Sequence, residues 1–196
     1  MDSAKKKATT APKTQKKGPK KPKKITPDYL HNAGLYYLQR FSASRQHFRT
    51  VLMRKVKKSC YEHKDQNYED CAALVEETVQ KFERAGLLND ELYTQGVVNS
   101  LRRQGKSKKV IVMKLQTRGI SQDLAAEKLE AVDSEKNGDA DLIAAIMVTR
   151  KKKAGAFGNR DPEKTLAALA RAGFSYDIAK KALEMSREDA EDLLNG

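Results

Sequence analysis

The feature that most constrains this chain is an internal repeat. Leu115-x-x-x-Gly119-Ile120-Ser121-x-x-Leu124-Ala125-x-x-x-Leu129 aligns with Leu169-x-x-x-Gly173-Phe174-Ser175-x-x-Ile178-Ala179-x-x-x-Leu183, at a constant offset of 54 residues (Leu115 to Leu169). Each matched position does the same physical job. An apolar residue faces a core, a glycine supplies the left-handed exit of a helix, a serine caps the next helix, and apolar residues return at helical spacing. Such a unit cannot bury its stripe alone, so neighbouring units must pack end to end.

Start and stop signals extend this plan along the chain. Thr26-Pro27-Asp28 opens a helix that runs to Phe41, and Ser42 or Ser44 caps a second helix through Phe48, Leu52 and Val56. A third begins around Asn67–Asp70 and stops at Ala85-Gly86. Asn89 opens a helix whose apolar stripe is Leu92, Val97, Val98 and Leu101, Ser107 opens one with Val110, Ile111, Met113 and Leu115, and Ser121 opens the next. After a turn at Asn137-Gly138, Asp139, Asp161-Pro162 and Ser175 open three more, with Ser186-Arg187-Glu188-Asp189 starting a short terminal turn. The expected fold is all-α: three tandem three-helix repeats, over residues 25–88, 89–136 and 137–196, forming an elongated, curved body. Apolar residues at 39% and charged residues at 33%, with no Trp, suit helices that each bury one stripe.

Charge is unevenly placed. Residues 1–24 carry ten lysines against Asp2, a net +9, which leaves +4 of the chain's +13 for everything after them. Lys mixed with Pro, Ala, Thr and Gly, without an apolar pattern, predicts a disordered basic tail. Solubility alone would account for such a tail. We read it as an arm that gathers phosphates, because its sign matches cationic clusters on the helices.

Those clusters fall in each repeat. Arg45, Arg49, Arg54, Lys55, Lys57 and Lys58 lie on the second helix; Arg102, Arg103, Lys106, Lys108, Lys109, Lys114 and Arg118 surround the middle turn; Lys151 and Lys152 close the first helix of the third repeat. Cations at helix C-termini oppose the helix dipole favourably, which accounts for some of them. Recurrence in successive repeats points to an extended anionic partner. Tyr29, Tyr36, Tyr37, Tyr61 and Tyr68 have the chemistry to stack on bases, but at helical spacing most of them read as core or boundary residues.

Catalysis is not expected. Cys60, His63 and Cys71 fall short of a four-ligand zinc set, Gly105-Lys106-Ser107 lacks the upstream glycine of a phosphate loop, and no nucleophile has a paired base. No cofactor or metal is expected. No apolar run is long enough for a membrane span, and two cysteines make no disulfide framework, so the expectation is a cytoplasmic protein.

The order of motifs resembles the RecX family of bacterial regulatory proteins. Asp28–Phe41 followed by Ser42-x-Ser44-Arg45 and Val51-Leu52-x-Arg54-Lys55 is similar to the family's opening repeat. Phe82-Glu83-Arg84-Ala85-Gly86-Leu87-Leu88-Asn89-Asp90-x-x-Tyr93 is similar to its most recognisable stretch. Ser100-Leu101-Arg102-Arg103-Gln104-Gly105-Lys106-Ser107 then follows in the family's order. The likeness covers about residues 26–185, and Ile25–Leu30 with the Lys-rich leader looks like the alphaproteobacterial branch. The resemblance implies a monomeric, non-enzymatic modulator that binds the RecA filament and its DNA, single-stranded or double-stranded. By it, such a protein suppresses strand exchange, ATP hydrolysis and LexA cleavage in the SOS response. Carried over, Arg45, Arg54, Lys55, Arg102, Arg103, Lys106 and Arg118 would face the filament. The third repeat fits least well, and the Lys tail is not a general family feature. A DNA-binding architectural or transcriptional protein without a RecA target is the alternative, although no helix shows the Arg/Asn/Gln-rich face of base readout.

Overall fold

The computed structural model describes residues 21–135 and 139–195. It is all-helical and elongated, built from repeated three-helix units. The first contains α1 (Pro27–Leu38), α2 (Arg45–Glu62) and α3 (Tyr68–Arg84); the second α4 (Asp90–Arg103), α5 (Lys108–Gln116) and α6 (Gln122–Ser134). The third contains α7 (Ala140–Lys152), a 3-10 turn at Gly155–Phe157, α8 (Pro162–Arg171) and α9 (Tyr176–Glu184), and α10 (Arg187–Asn195) closes it.

The caps explain where these helices begin. Thr26, Ser44, Asn67, Asn89, Ser107, Ser121, Asp139, Asp161 and Ser175 each accept a hydrogen bond from a backbone N–H in the first turn of the helix that follows. Of the two serines proposed for α2, Ser44 is the cap. The turn expected at Asn137-Gly138 and residues 1–20 of the expected tail lie outside the described residues.

Three apolar clusters form the interior. Leu30, Phe48, Leu52, Val75 and Phe82 centre the first; Val98, Ile111, Leu115, Ala125 and Leu129 the second; Leu142, Ile146, Leu169, Phe174 and Ala182 the third. Phe48 and Phe82 meet edge-on, with ring centres 5.2 Å apart, a favoured aromatic geometry. Gly34 packs against them so closely that a Cβ there would lie 2.3 Å from the Phe82 ring. Leu92 and Met113, expected on buried stripes, are instead 72% and 54% exposed. The inward face of α4 runs through Thr94, Val98 and Leu101, and that of α5 through Ile111 and Leu115, which turns the other two residues outward.

The units meet by a junction that occurs twice. Ser44, at the start of α2, is fully buried and donates its hydroxyl to the Arg118 carbonyl after α5. Ser107, at the start of α5, is equally buried and donates to the Ala172 carbonyl after α8 at 2.8 Å. Beside these bonds the Arg45 N–H donates to Asp90 Oδ1 at 2.7 Å, and the Lys108 N–H donates to Asp141 Oδ1 at 2.8 Å. The N-terminus of the second helix in one unit therefore abuts the C-terminus of the second helix in the next, aligning their dipoles. Gly119 and Gly173 sit at these abutments with φ of 79° and 86°. A Cβ would lie 2.3 Å from Gln46 Cβ at the first and 2.7 Å from Ser107 Oγ at the second, so the left-handed stop and the close approach both require glycine.

Residues 21–24 were expected to belong to the disordered tail, but Pro22 and Lys23 are fastened to the end of α2. Ser59 Oγ donates to the Lys23 carbonyl at 2.9 Å, and the Gln66 amide both accepts from the Ile25 N–H and donates to its carbonyl, each at 2.9 Å. Ile25 is buried, so the apolar core reaches one residue beyond the helix cap and pulls the chain before it into place.

Candidate nucleic-acid interface

The cationic clusters separate once their neighbours are known. On α2, the Arg45 guanidinium pairs with Glu83 at 3.3 Å, and Arg49 pairs with Glu76 of α3. Arg54, Lys57 and Lys58, one to three turns further on, are exposed and have no ion pair among the described residues. Lys55 is half-buried, with its Nζ 6.0 Å from the centre of the Tyr29 ring.

Arg102 is not a surface ligand, and this corrects the expectation drawn from its sequence context. Its side chain is only 2% exposed. Nε donates to Asp133 Oδ1 at 2.8 Å, Nη2 to Asp133 Oδ2, and Nη1 to both Asp141 and the Lys106 carbonyl, the latter at 3.0 Å. Burial opposes the charge, but the hydrogen bonds that the guanidinium donates to the two carboxylates outweigh that and hold it above its ordinary pKa. All three guanidinium nitrogens are engaged, and burial between two carboxylates keeps the group away from a phosphate. The group fastens the end of α4 to the end of α6 and to the start of α7, across the boundary between second and third units.

The other predicted cations of the second unit lie around that buried core. Arg103, Lys108, Lys109, Lys114 and Arg118 are exposed, and Lys106 is half-buried. Arg103 makes only a long 3.4 Å contact from Nε to the Asn99 carbonyl. Arg118 Nη1 stands 2.7 and 3.0 Å from the two ring nitrogens of His47 across the first junction. Partial burial, then Arg118 and Arg54, lower the His47 pKa. In the third unit Lys151 is exposed and Lys152 half-buried, and Arg150 lies 5.9 Å from the Phe157 ring. Next to them Lys153 adopts φ 54°, the left-handed position that glycine fills after α3, α4, α5 and α8.

Residue spacing did not reveal Asp133 and Asp141, because their partner lies 31 and 39 positions away in sequence. The one available signal was an acid in the first turn of α7, which by itself reads as a dipole contact. Of the five tyrosines read mostly as core or boundary, Tyr36, Tyr61 and Tyr68 are exposed, Tyr61 most of all at 78%. Among the described residues no cluster of three or more His, Cys, Asp or Glu is arranged to hold a metal, and no helix is long and apolar enough to cross a membrane. Burial, then Cys60, raise the Cys71 thiol to about 11, which leaves it protonated and unreactive at neutral pH.

Known proteins share both the sequence and this architecture. Residues 89–129 match the family model described as RecX, second three-helix domain. The regulatory protein RecX of Myxococcus xanthus is 41% identical over 178 residues, spanning 88% of this chain and 93% of that protein. The regulatory protein RecX of Agrobacterium fabrum is 31% identical over 172 residues, spanning 85% and 88%. These relatives do not single out an alphaproteobacterial branch. In three dimensions the crystal structure of RecX from Lactobacillus salivarius superposes with a TM-score of 0.59 at 22% identity, covering 84% of this chain and 96% of that one.

Proposed function

Because this chain belongs to the RecX family of regulatory proteins, we propose that it binds the RecA–single-stranded DNA filament and holds down recombinase, ATPase and LexA-cleaving activity. One observation supports this reading above the rest. Exposed cations without acid partners among the described residues recur on successive units, at Arg54, Lys57 and Lys58, at Arg103 and Lys109, and at Lys151. A helical filament offers repeated anionic surface, and an elongated array of units offers repeated cations to match it.

The remaining predicted contacts fall into two grades on this reading. Lys108, Lys114 and Arg118 are exposed and meet the partner directly. Arg45 and Arg49 already hold Glu83 and Glu76, and the half-buried Lys55, Lys106 and Lys152 contribute field rather than contact. The protein acts by occupying the filament, as a monomer in the cytoplasm and without a cofactor.

The test is titration into a RecA–single-stranded DNA ATPase and strand-exchange assay. Inhibition should rise to completion near stoichiometric levels, and Arg103→Glu with Lys109→Glu should weaken it by tenfold or more, as expected for about 1.4 kcal/mol of lost attraction. A wild-type protein that leaves both activities untouched would sink the reading. Equal affinity for DNA with and without RecA would favour a DNA-binding protein with no recombinase target.

A further inference from the structure

The end of α2 carries three features that folding of the helix does not require. The first is an open groove of about 720 Å³ lined by Pro22, Arg54, Lys57, Lys58, Tyr61 and the neighbouring Cys60 and Glu62. Its three cations have no ion pair among the described residues; Glu62 is held by Lys21 at 3.3 Å. The second is Tyr61, 78% exposed, with Lys64 Nζ 4.9 Å from its ring centre. A phenol ring left open to this degree gains little from the protein interior.

The third feature is the fastening of the chain along the groove rim. Besides the bonds at Lys23 and Ile25, His63 Nε2 lies 2.9 Å from the Pro22 carbonyl, and Lys24 pairs with Asp65. Ser59 Oγ, buried and polar, also lies 2.8 Å from Gln66 Oε1, so its single hydroxyl proton is shared between that oxygen and the Lys23 carbonyl, beside the amide that grips Ile25. This grip sets Pro22 in the groove wall and brings Lys21, Lys23 and Lys24 to the same end of α2 as Lys57 and Lys58. Bringing like charges together is unfavourable, and Glu62 and Asp65 offset only part of it.

We propose that this groove is a single-stranded nucleic-acid subsite. Phosphates follow Arg54, Lys57, Lys58 and the fastened lysines, while one base stacks on the open face of Tyr61. A duplex meets the cations but keeps its base faces covered, so the ring selects a single strand. The proposal deepens the DNA-filament reading by naming where the strand lies, and it operates without the recombinase.

The experiment is fluorescence anisotropy of the full chain with labelled oligothymidylate of roughly 16 nucleotides and no RecA. Tyr61→Ala should bind roughly tenfold more weakly, Tyr61→Phe should bind like the wild type, and binding to a duplex should be unchanged by either. Lys57→Gln with Lys58→Gln should reduce the slope of log affinity against log salt by about 1.4, the share of two phosphate contacts on a single strand. All three side chains are exposed, so thermal melts of the variants should match the wild type. Tyr61→Ala binding as tightly as wild type would overturn the subsite, as would an unchanged salt slope. Variants that lose RecA inhibition but keep oligonucleotide affinity would also overturn it, since the patch would then face an acidic protein surface. If the oligonucleotide results hold while wild type leaves the RecA ATPase untouched, the subsite stands and the regulatory reading falls.

Discussion

Arg102 and His47 show how much a single charged side chain depends on what the fold brings to it. Arg102 spans Asp133 and Asp141 from below the surface, with Nη1 also donating to the Lys106 carbonyl. Removing one member of a buried pair leaves the others uncompensated, typically at 3–5 kcal/mol. Both carboxylates keep about a quarter of their surface, so Arg102→Ala should cost about 3 kcal/mol in a urea titration. A loss under about 1 kcal/mol would mean that water replaces the guanidinium easily. His47 works in the opposite sense. Its folded pKa lies below the ordinary 6.5, through burial and then Arg118 and Arg54. The unfolded chain therefore takes up the proton first, and His47 contributes stability above pH 6.5 that is lost as pH falls through the folded value. Melting temperature should decline between pH 7 and 5, and His47→Gln should remove part of that decline; an identical pH profile would place the effect elsewhere.

At the scale of the element, the same kind of residue carries different weight according to where its helix lies. Ser44 and Ser107 begin as ordinary N-caps, but each also donates across a junction to a carbonyl at the end of a helix in the next unit. Asp161 holds the matching position in the third unit, at the start of α8, and an ionised carboxylate accepts but does not donate. Glycines divide in the same way. Gly119→Ala meets both a φ of 79° and Gln46 Cβ at 2.3 Å, and should cost about 1–2 kcal/mol or more. Gly96 lies within α4 with no atom within 4 Å of its would-be Cβ, so Gly96→Ala should instead stabilise by about 0.5–1 kcal/mol. Chemical denaturation of the two variants reads both signs, and destabilisation by both would contradict the junction geometry.

For the whole molecule, the units make a line whose two ends are treated differently. The third unit ends in α10, which packs Ala190, Leu193 and Leu194 onto its core, and the first unit is closed by the fastened segment from Pro22 to Ile25. Arrays of repeats need such terminal cover because an end unit has one neighbour fewer. This places two functions in the leader. Deleting residues 1–20 should weaken DNA binding at moderate salt and leave stability and RecA inhibition largely intact, because seven lysines go but the fastening remains. Extending the deletion through Ile25 should also lower the melting temperature, since a buried core residue is lost. Inhibition that vanished with residues 1–20 would mean that the tail, rather than the units, faces the filament.

Much of this was legible in the chain itself because it is local. Caps such as Asn89 and Ser107, and stops such as Gly119, act within one turn of helix, so their order specified the helices and the repeat. The basic character of α2 was legible for the same reason, since charges one turn apart share a face. Leu92 and Met113 misled because a short amphipathic helix admits more than one apolar stripe, and only its packing partners choose between them. Arg102, Arg54 and Tyr61 needed the tertiary structure for a related reason. In sequence Arg102 and Arg54 are both cations near helix ends, and Tyr61 is one aromatic among several. Folding brings Asp133 and Asp141 to the first, no acid among the described residues to the second, and open solvent to the third. The sequence determined the repeat and its sign of charge; contacts between residues far apart in the chain decided which charges are spent inside the protein and which are left for a partner.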